Sequence, residues 1–162
     1  MGNIEDYRSG AILDGIRKAL SVFDSGNALP IDDERIGHLI EKIRAFEPMC
    51  ITIAEASIFI RNAKAIAHGE RVCRPLHPGS ELTQSVFLDE LAEAMILSGS
   101  AEQATAEEAE QLLQQSSGNP LIISMISGRY QEICASHTMS CVYWRAEKRG
   151  VHCLKRRETD RD

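Results

Sequence analysis

The middle of the chain lacks positive charge. Between Arg74 and Arg129 there is no lysine and no arginine, yet the same stretch holds eight acidic residues. The sign then reverses, since six cations and a single acid lie between Arg145 and Arg157. This segregation predicts an acidic surface beside a basic one, and the sign of a surface governs which partners approach it.

Further absences exclude whole classes of protein. The chain has no run of about 18 uncharged apolar residues, so we expect neither a membrane-spanning helix nor a membrane partner. Glu5, Asp6 and Arg8 stand where a signal peptide would be apolar. Neither the Gly-x-x-x-x-Gly-Lys-Ser/Thr loop nor Gly-x-Gly-x-x-Gly occurs, which argues against a dedicated nucleotide site.

The remaining composition is that of an ordinary globular protein. Aromatic residues make up 5% of the 162 positions, so the sequence predicts an aliphatic core in a single domain. The five cysteines are odd in number and form no compact framework, which favours reduced thiols. We therefore expect a cytoplasmic protein, or one delivered into a host cytosol if it acts as an effector.

Apolar residues recur at helical spacing along most of the chain. The pattern predicts six helices, at about residues 12–23, 33–46, 52–68, 86–97, 105–117 and 120–133. Thr52 with Glu55, and Thr105 with Glu108, have the spacing of capping boxes. Asp32 is the expected cap of the second helix. The third helix is apolar on most faces, so we expect it at the centre of a bundle.

The C-terminal segment differs in composition from the rest. Cys141–Trp144 and Val151–Leu154 are rich in strand formers, and residues 147–150 between them suit a turn. This pattern favours a short β-hairpin, with an extra helix as the alternative. A strand over Leu121–Ile126 is a second alternative. The overall prediction is an all-α, single-domain bundle of about six helices over residues 1–137, with a basic hairpin or tail over residues 138–162.

No convergent set of titratable residues emerges from the sequence. The first hypothesis is therefore a non-enzymatic protein-binding module, of the small regulator, inhibitor, chaperone or effector type. Its acidic helical face would engage the basic surface of a partner protein, because a face of one sign is self-repulsive until an opposite charge docks on it. The predicted contact residues are Glu81, Asp89, Glu90, Glu93, Glu107, Glu108 and Glu110.

The alternative hypothesis is a nucleic-acid-binding protein that acts through its C-terminal segment. Cations could contact phosphates there, while aromatic side chains stack on bases. The residues of this predicted interface are Trp144, Arg145, Lys148, Arg149, Lys155, Arg156 and Arg157.

Cysteine and histidine residues in the same part of the chain suggest a zinc site. Zinc takes four nitrogen or sulfur ligands in a tetrahedron, commonly from closely spaced pairs. The candidate ligands are Cys134, His137, Cys141 and Cys153. The alternative is that these cysteines are small buried apolar residues. The primary expectation is that no cofactor is bound.

A thiol-dependent enzyme is the third functional hypothesis. Cys50 precedes a predicted helix N-terminus, where a thiolate would be stabilised. Cys73 shares a proline-containing loop with His77, which has the chemistry of a general base.

Overall fold

The computed structural model describes residues 3–25, 33–116 and 118–156. The helices are α1 (Ile4–Ser9), α2 (Ala11–Phe23), α3 (Glu34–Ala45), α4 (Ile53–Asn62), α5 (Asp89–Leu97), α6 (Ala106–Gln114) and α7 (Val142–Lys148). The strands are β1 (Met49–Ile51), β2 (Ile66–Glu70), β3 (Gln84–Leu88), β4 (Ala101–Gln103), β5 (Leu121–Ile126), β6 (Arg129–Ala135) and β7 (Lys155–Arg156).

The strands form one sheet, so the predicted all-α helical bundle is wrong. The strand order is β4-β2-β3-β6-β5-β1-β7. The first six strands of this order pair antiparallel, and the two-residue β7 joins β1 in parallel. The protein is therefore a mixed α/β fold built on an antiparallel sheet.

The predicted helix over residues 120–133 is the clearest error, because the chain forms the β5–β6 hairpin there. Ile126 pairs with Arg129, which leaves Ser127 and Gly128 as a two-residue loop. Both loop residues have positive φ, 52° and 82°, as a type I′ turn requires. The strand alternative for Leu121–Ile126 is thus confirmed. The isoleucine-rich run suits either a buried strand or a buried helix, and pairing with distant strands settles which one forms.

Two other predicted helices divide into a helix and a strand. The region 52–68 forms α4, which ends at Asn62, and then enters β2 at Ile66. The region 86–97 begins as β3, and α5 starts only at Asp89. Asp89 has φ of 53°, a left-handed conformation that redirects the chain from strand to helix.

The C-terminal prediction is also corrected. The expected hairpin over residues 141–154 is instead helix α7 followed by an extended segment that leads to β7. The strand formers Val142, Tyr143 and Trp144 lie in the first turn of that helix, because their side chains pack against α2, β5 and the β6–α7 connection. The helical alternative named for this segment is the one that forms.

Local helix signals were predicted correctly. Helices α2 and α3 lie where the apolar spacing placed them. Both capping boxes are present, with Thr52 and Glu55 at α4 and Thr105 and Glu108 at α6. The residue that caps α3 is Asp33, while Asp32 lies outside the described residues.

The sheet separates two differently covered faces. Along β3, Val86 and Leu88 belong to an aliphatic core under α4 and α6. Phe87, between them, belongs to a second cluster with α1 and α5, because successive strand residues face opposite sides. Helices α2, α3 and α7 pack together in a third cluster. Among the described residues, no helix is both long and apolar enough to cross a membrane.

Gly69 provides a test of the sheet. A Cβ atom there would lie 2.4 Å from the Ser100 carbonyl oxygen, so we expect Gly69→Ala to lower the free energy of unfolding by about 1–3 kcal/mol. The control is Gly37→Ala in α3, where an added Cβ meets nothing within 4 Å and should stabilise by about 0.5–1 kcal/mol. Urea denaturation measures both. Equal effects would contradict the β2–β4 pairing.

Candidate functional site

A cavity of about 280 Å³ lies between helices α1–α3 and one face of the sheet. The connections before and after the central strands also line it. Its lining comes from α1 and α2 (Asp6, Tyr7, Ala11, Ile12, Gly15, Ile16, Ala19), α3 and its end (Leu39, Lys42, Ile43, Phe46), the 71–77 segment (Arg71, Val72, Cys73, His77), the strands (Ser85, Ser124, Glu132, Cys134) and the 137–143 segment (His137, Ser140, Cys141, Val142, Tyr143).

The floor of the cavity is polar because of strand alternation. On β6, Glu132 and Cys134 face the cavity, whereas Ile133 and Ala135 belong to the aliphatic core on the other side. The sheet register places Ser85 of β3 opposite Cys134, and Ser124 of β5 opposite Glu132. Three adjacent strands therefore present small or polar side chains at one place.

The opposite wall is apolar. Helix α2 contributes residues at helical spacing, including Ile12, Ile16 and Ala19, and α3 contributes Leu39 and Ile43. Residues three and four apart lie on one face of a helix, so α2 presents a continuous aliphatic stripe. The cavity thus has an aliphatic side and a hydrogen-bonding side, the arrangement typical of small-molecule sites.

Tyr7 and Glu132 connect the two sides. The Tyr7 hydroxyl donates to Glu132 Oε1 at 2.5 Å. Burial raises the pKa of the Glu132 carboxyl, although the hydrogen bond from Tyr7, the nearness of the Ser85 side chain and the charge of Arg71 act in the opposite direction. Burial and the neighbouring carboxylate also raise the pKa of Tyr7 well above its ordinary value. This bond fastens α1 to the sheet at the edge of the cavity.

Three polar atoms in the cavity lining have no protein partner. They are Arg71 Nε, His77 Nε2 and Ser85 Oγ. Among the described residues, these are the three buried side-chain nitrogen or oxygen atoms that lack a hydrogen-bond partner. All three residues line the same cavity. A buried polar atom without a hydrogen bond costs about 1–3 kcal/mol, so three in one place indicate that another molecule supplies the missing partners.

Arg71 is held rigidly at this position. Its side chain is buried, and its Nη1 donates to the Ala135 carbonyl oxygen at 2.9 Å. Its backbone N–H donates to Thr83 beside β3. Burial and the charges of Arg71 and His137 lower the pKa of His77. The lowered pKa favours the neutral imidazole, in which Nε2 can donate or accept according to the tautomer.

Burial disfavours the thiolate form of the three cysteines that line the cavity. Burial raises the pKa of Cys73 and of Cys134, and that of Cys141 to about 11. A thiol is nucleophilic as the thiolate, so the site does not activate these residues. Cys73 and His77 do line the cavity together, as the thiol-enzyme hypothesis requires, whereas Cys50 lies in β1 and does not line it.

The proposed zinc ligands are only partly brought together. Cys134, His137 and Cys141 line the cavity. Cys153 instead packs with α2, α3 and α7, where its Sγ donates to the Tyr143 carbonyl oxygen. No group of three or more potential ligands with metal-binding geometry occurs in the part of the chain that is described. The zinc site stays a prediction.

The acidic residues do not form one surface. Helix α6 covers the sheet face opposite to that of α5. Glu107 and Glu110 pair with Arg61, and Glu108 completes a capping box. Asp89 accepts the Lys64 N–H at 2.8 Å. Glu81 is exposed in the segment before β3, and Glu90 and Glu93 are exposed on α5.

Several of the C-terminal cations contact the chain itself. Arg145 pairs with Asp24, and Arg149 donates to the Phe23 carbonyl oxygen. Lys155 pairs with Glu47 at 2.6 Å. Trp144 Nε1 donates to Ser136 Oγ, and Lys148 Nζ lies 3.2 Å from the Met139 sulfur. Arg156 is in β7, and Arg157 lies outside the described residues. The nucleic-acid interface stays a prediction.

Sequence reasoning missed Tyr7, Arg71, Ser85, Glu132 and Tyr143 as site residues. One signal was available: the turn dipeptide Ser127-Gly128 separates the isoleucine-rich run Leu121–Ile126 from the run Arg129–Ala135. Reading these runs as strands would have placed Glu132 on the same face as Cys134, since they are two residues apart. No local signal joins that face to Tyr7, which is 125 residues away.

Comparison of the chain with protein-family models, with curated proteins and with solved structures found no match.

The raised pKa of Glu132 predicts a specific pH dependence. The folded protein holds this proton more tightly than the unfolded chain, whose pKa is about 4.5. Glu132 therefore supports stability below that value, and its contribution declines as pH rises through the folded-state pKa. As pH rises from about 4.5 through the folded-state pKa of Glu132, we expect the free energy of unfolding to fall less in Glu132→Gln than in the unaltered protein. Parallel pH profiles from urea denaturation would contradict the buried acid.

Proposed function

We propose that this chain binds a small amphipathic molecule in the cavity between helices α1–α3 and the sheet. The apolar part of the ligand contacts the aliphatic stripe of α2 and the facing residues of α3. Its polar part takes hydrogen bonds from the floor. The observation that carries this proposal is the concentration of the unpaired buried atoms of Arg71, His77 and Ser85 in one cavity lining.

The two-sided lining supports a ligand with two chemical ends. A purely polar molecule would leave Ile12, Ile16 and Ile43 against its hydrogen-bonding groups, with a desolvation cost for each group. A purely apolar molecule would leave the three polar atoms unpaired. A molecule with an aliphatic or aromatic body and a single polar end satisfies both sides at once.

The chemistry of the thiols supports binding rather than nucleophilic catalysis. Cys73, Cys134 and Cys141 have raised pKa values because they are buried. A catalytic cysteine usually has the reverse shift, produced by a nearby cation or a helix N-terminus. The arrangement therefore favours a carrier or sensor of a small molecule over a thiol-dependent enzyme.

Gly15 allows the cavity to be narrowed without loss of stability. It lines the cavity, and a Cβ atom there would meet nothing within 4 Å. Gly15→Leu should therefore leave the fold intact, since leucine favours a helix more than glycine does. We expect the uncharged dye N-phenyl-1-naphthylamine to become fluorescent with the unaltered protein and to bind Gly15→Leu about tenfold more weakly.

The matched control for this experiment is Gly37→Leu. Gly37 also lies within a helix with open space around its Cβ position, but it does not line the cavity. This variant should bind the dye as the unaltered protein does. Absence of dye binding to the unaltered protein, or equal binding by the two leucine variants, would contradict the cavity as a binding site.

An interaction with a basic protein is the second candidate, and Glu90 and Glu93 carry it. Both side chains are exposed on α5, and the salt bridges among the described residues include neither. A basic partner surface would relieve their mutual repulsion and speed the encounter.

Charge reversal tests this second candidate. We expect Glu90→Lys combined with Glu93→Lys to abolish co-purification of a basic partner while leaving the melting temperature unchanged. Asp89→Lys serves as a contrast, because it removes the acceptor of the Lys64 N–H and should destabilise the protein by about 1–3 kcal/mol. Unchanged co-purification by the double variant would reject this surface.

A further inference from the structure

The chemistry of the unpaired atoms restricts the polar end of the ligand. Arg71 Nε carries a hydrogen and is always a donor, so the atom opposite it must accept. The Ser85 hydroxyl can donate to the same acceptor. The neutral imidazole of His77 can also donate when the proton is on Nε2. All three groups are thus compatible with one oxygen-bearing acceptor group, whereas an ammonium group would leave Arg71 Nε unpaired.

Arg71 and Ser85 are both positioned at the β3–β6 pair. Arg71 is anchored beside β3 through the Thr83 carbonyl oxygen, and its guanidinium reaches across to the Ala135 carbonyl oxygen on β6. Ser85 lies two residues after Thr83, and its side chain faces the cavity floor from β3. The guanidinium therefore lies over the β3–β6 pair, from which the Ser85 hydroxyl also approaches.

The charge of Arg71 distinguishes between kinds of acceptor. Arg71 is 5% exposed, and its Nη1 donates to a neutral carbonyl oxygen. The salt bridges among the described residues do not include it. A buried cation without an ion pair is expensive, and the planar guanidinium matches the two oxygen atoms of a carboxylate, as it also matches a phosphate.

Two carboxyl groups of the protein, those of Glu132 and Asp6, also line the cavity. Neither forms a salt bridge with Arg71 among the pairs of the described residues. The Glu132 Oε1 atom accepts from Tyr7, and burial holds its pKa above the ordinary value, which reduces its negative charge. Asp6 Oδ2 accepts the Asn3 N–H at the start of α1. Lys42, on the exposed side of α3, adds a second cation at the edge of the cavity.

We propose that the ligand is a carboxylate with an aliphatic body, and that Arg71 Nε and the Ser85 hydroxyl donate to its oxygen atoms while α2 and α3 hold the apolar chain. This inference rests on the proposed function, because it names the class of molecule that the cavity binds. His77 Nε2 supplies a third hydrogen bond to the same group.

The test compares three molecules with the same eight-carbon chain but different polar ends. Octanoate, octan-1-ol and octylamine each compete with N-phenyl-1-naphthylamine for the unaltered protein at neutral pH. A hydrogen bond to a charged group is stronger than one to a neutral hydroxyl. Octanoate should therefore displace the dye at a concentration at least about tenfold lower than octan-1-ol, with octylamine the weakest of the three.

Variants assign the preference to residues. Arg71→Met should remove the advantage of octanoate over octan-1-ol, because the cation that distinguishes a carboxylate from a neutral hydroxyl is lost. Ser85→Ala should reduce that advantage in part. Thermal denaturation verifies that each variant folds, and the comparison of the three molecules on the unaltered protein decides the proposal if Arg71→Met does not fold.

The outcomes separate this inference from the proposed function. Dye binding with equal displacement by octanoate and octan-1-ol would overturn the carboxylate while leaving the cavity as a binding site. A preference for octylamine would overturn it too, and would identify Glu132 as the recognising group. Failure of the dye to bind would remove the proposed function itself. Retention of the octanoate preference in folded Arg71→Met would show that Arg71 is not the recognising residue.

Discussion

The antiparallel pairing of β3, β6 and β5 is the constraint on which the cavity depends. Strand alternation turns Val86, Ile133 and Ile123 toward the core under α4 and α6. The residues between them face the other way, and the register places Ser85, Glu132 and Ser124 on adjacent strands. A shift of one residue in this register would bury the polar set in the aliphatic core. The apolar face therefore fixes the position of the polar face.

The polar face then determines how the N-terminal helices are held. Helices α1 and α2 do not simply cover the sheet with apolar side chains, because Glu132 lies under them. The Tyr7 hydroxyl satisfies one carboxylate oxygen of that residue. Gln131, also fully buried, donates to the Ile126 carbonyl oxygen and accepts the Leu91 N–H. Hydrogen bonds of this kind make the packing specific, because a different position of the packed elements would leave a buried polar group unpaired.

Not every buried polar group is satisfied in this way, and the exceptions coincide. Arg71 Nε, His77 Nε2 and Ser85 Oγ all belong to residues that line the same cavity. Folded proteins pair nearly all buried polar atoms, so clustered exceptions carry information about function. Their donor chemistry and the charge of Arg71 agree with a carboxylate, and the aliphatic stripe of α2 agrees with an apolar chain attached to it.

Local sequence was sufficient for the features that depend on neighbours within one or two turns. Helices α2 and α3, both capping boxes and the uneven distribution of charge are of this kind. The runs at 66–70, 84–88 and 121–135 are different, because their apolar spacing suits a buried helix as well as a buried strand. Their hydrogen-bond partners are distant in the chain, so pairing across the sheet settled the choice. The cavity belongs to the same category: Tyr7 meets Glu132 across 125 residues, and Arg71 meets Ala135 across 64, so no short window of sequence contains the site.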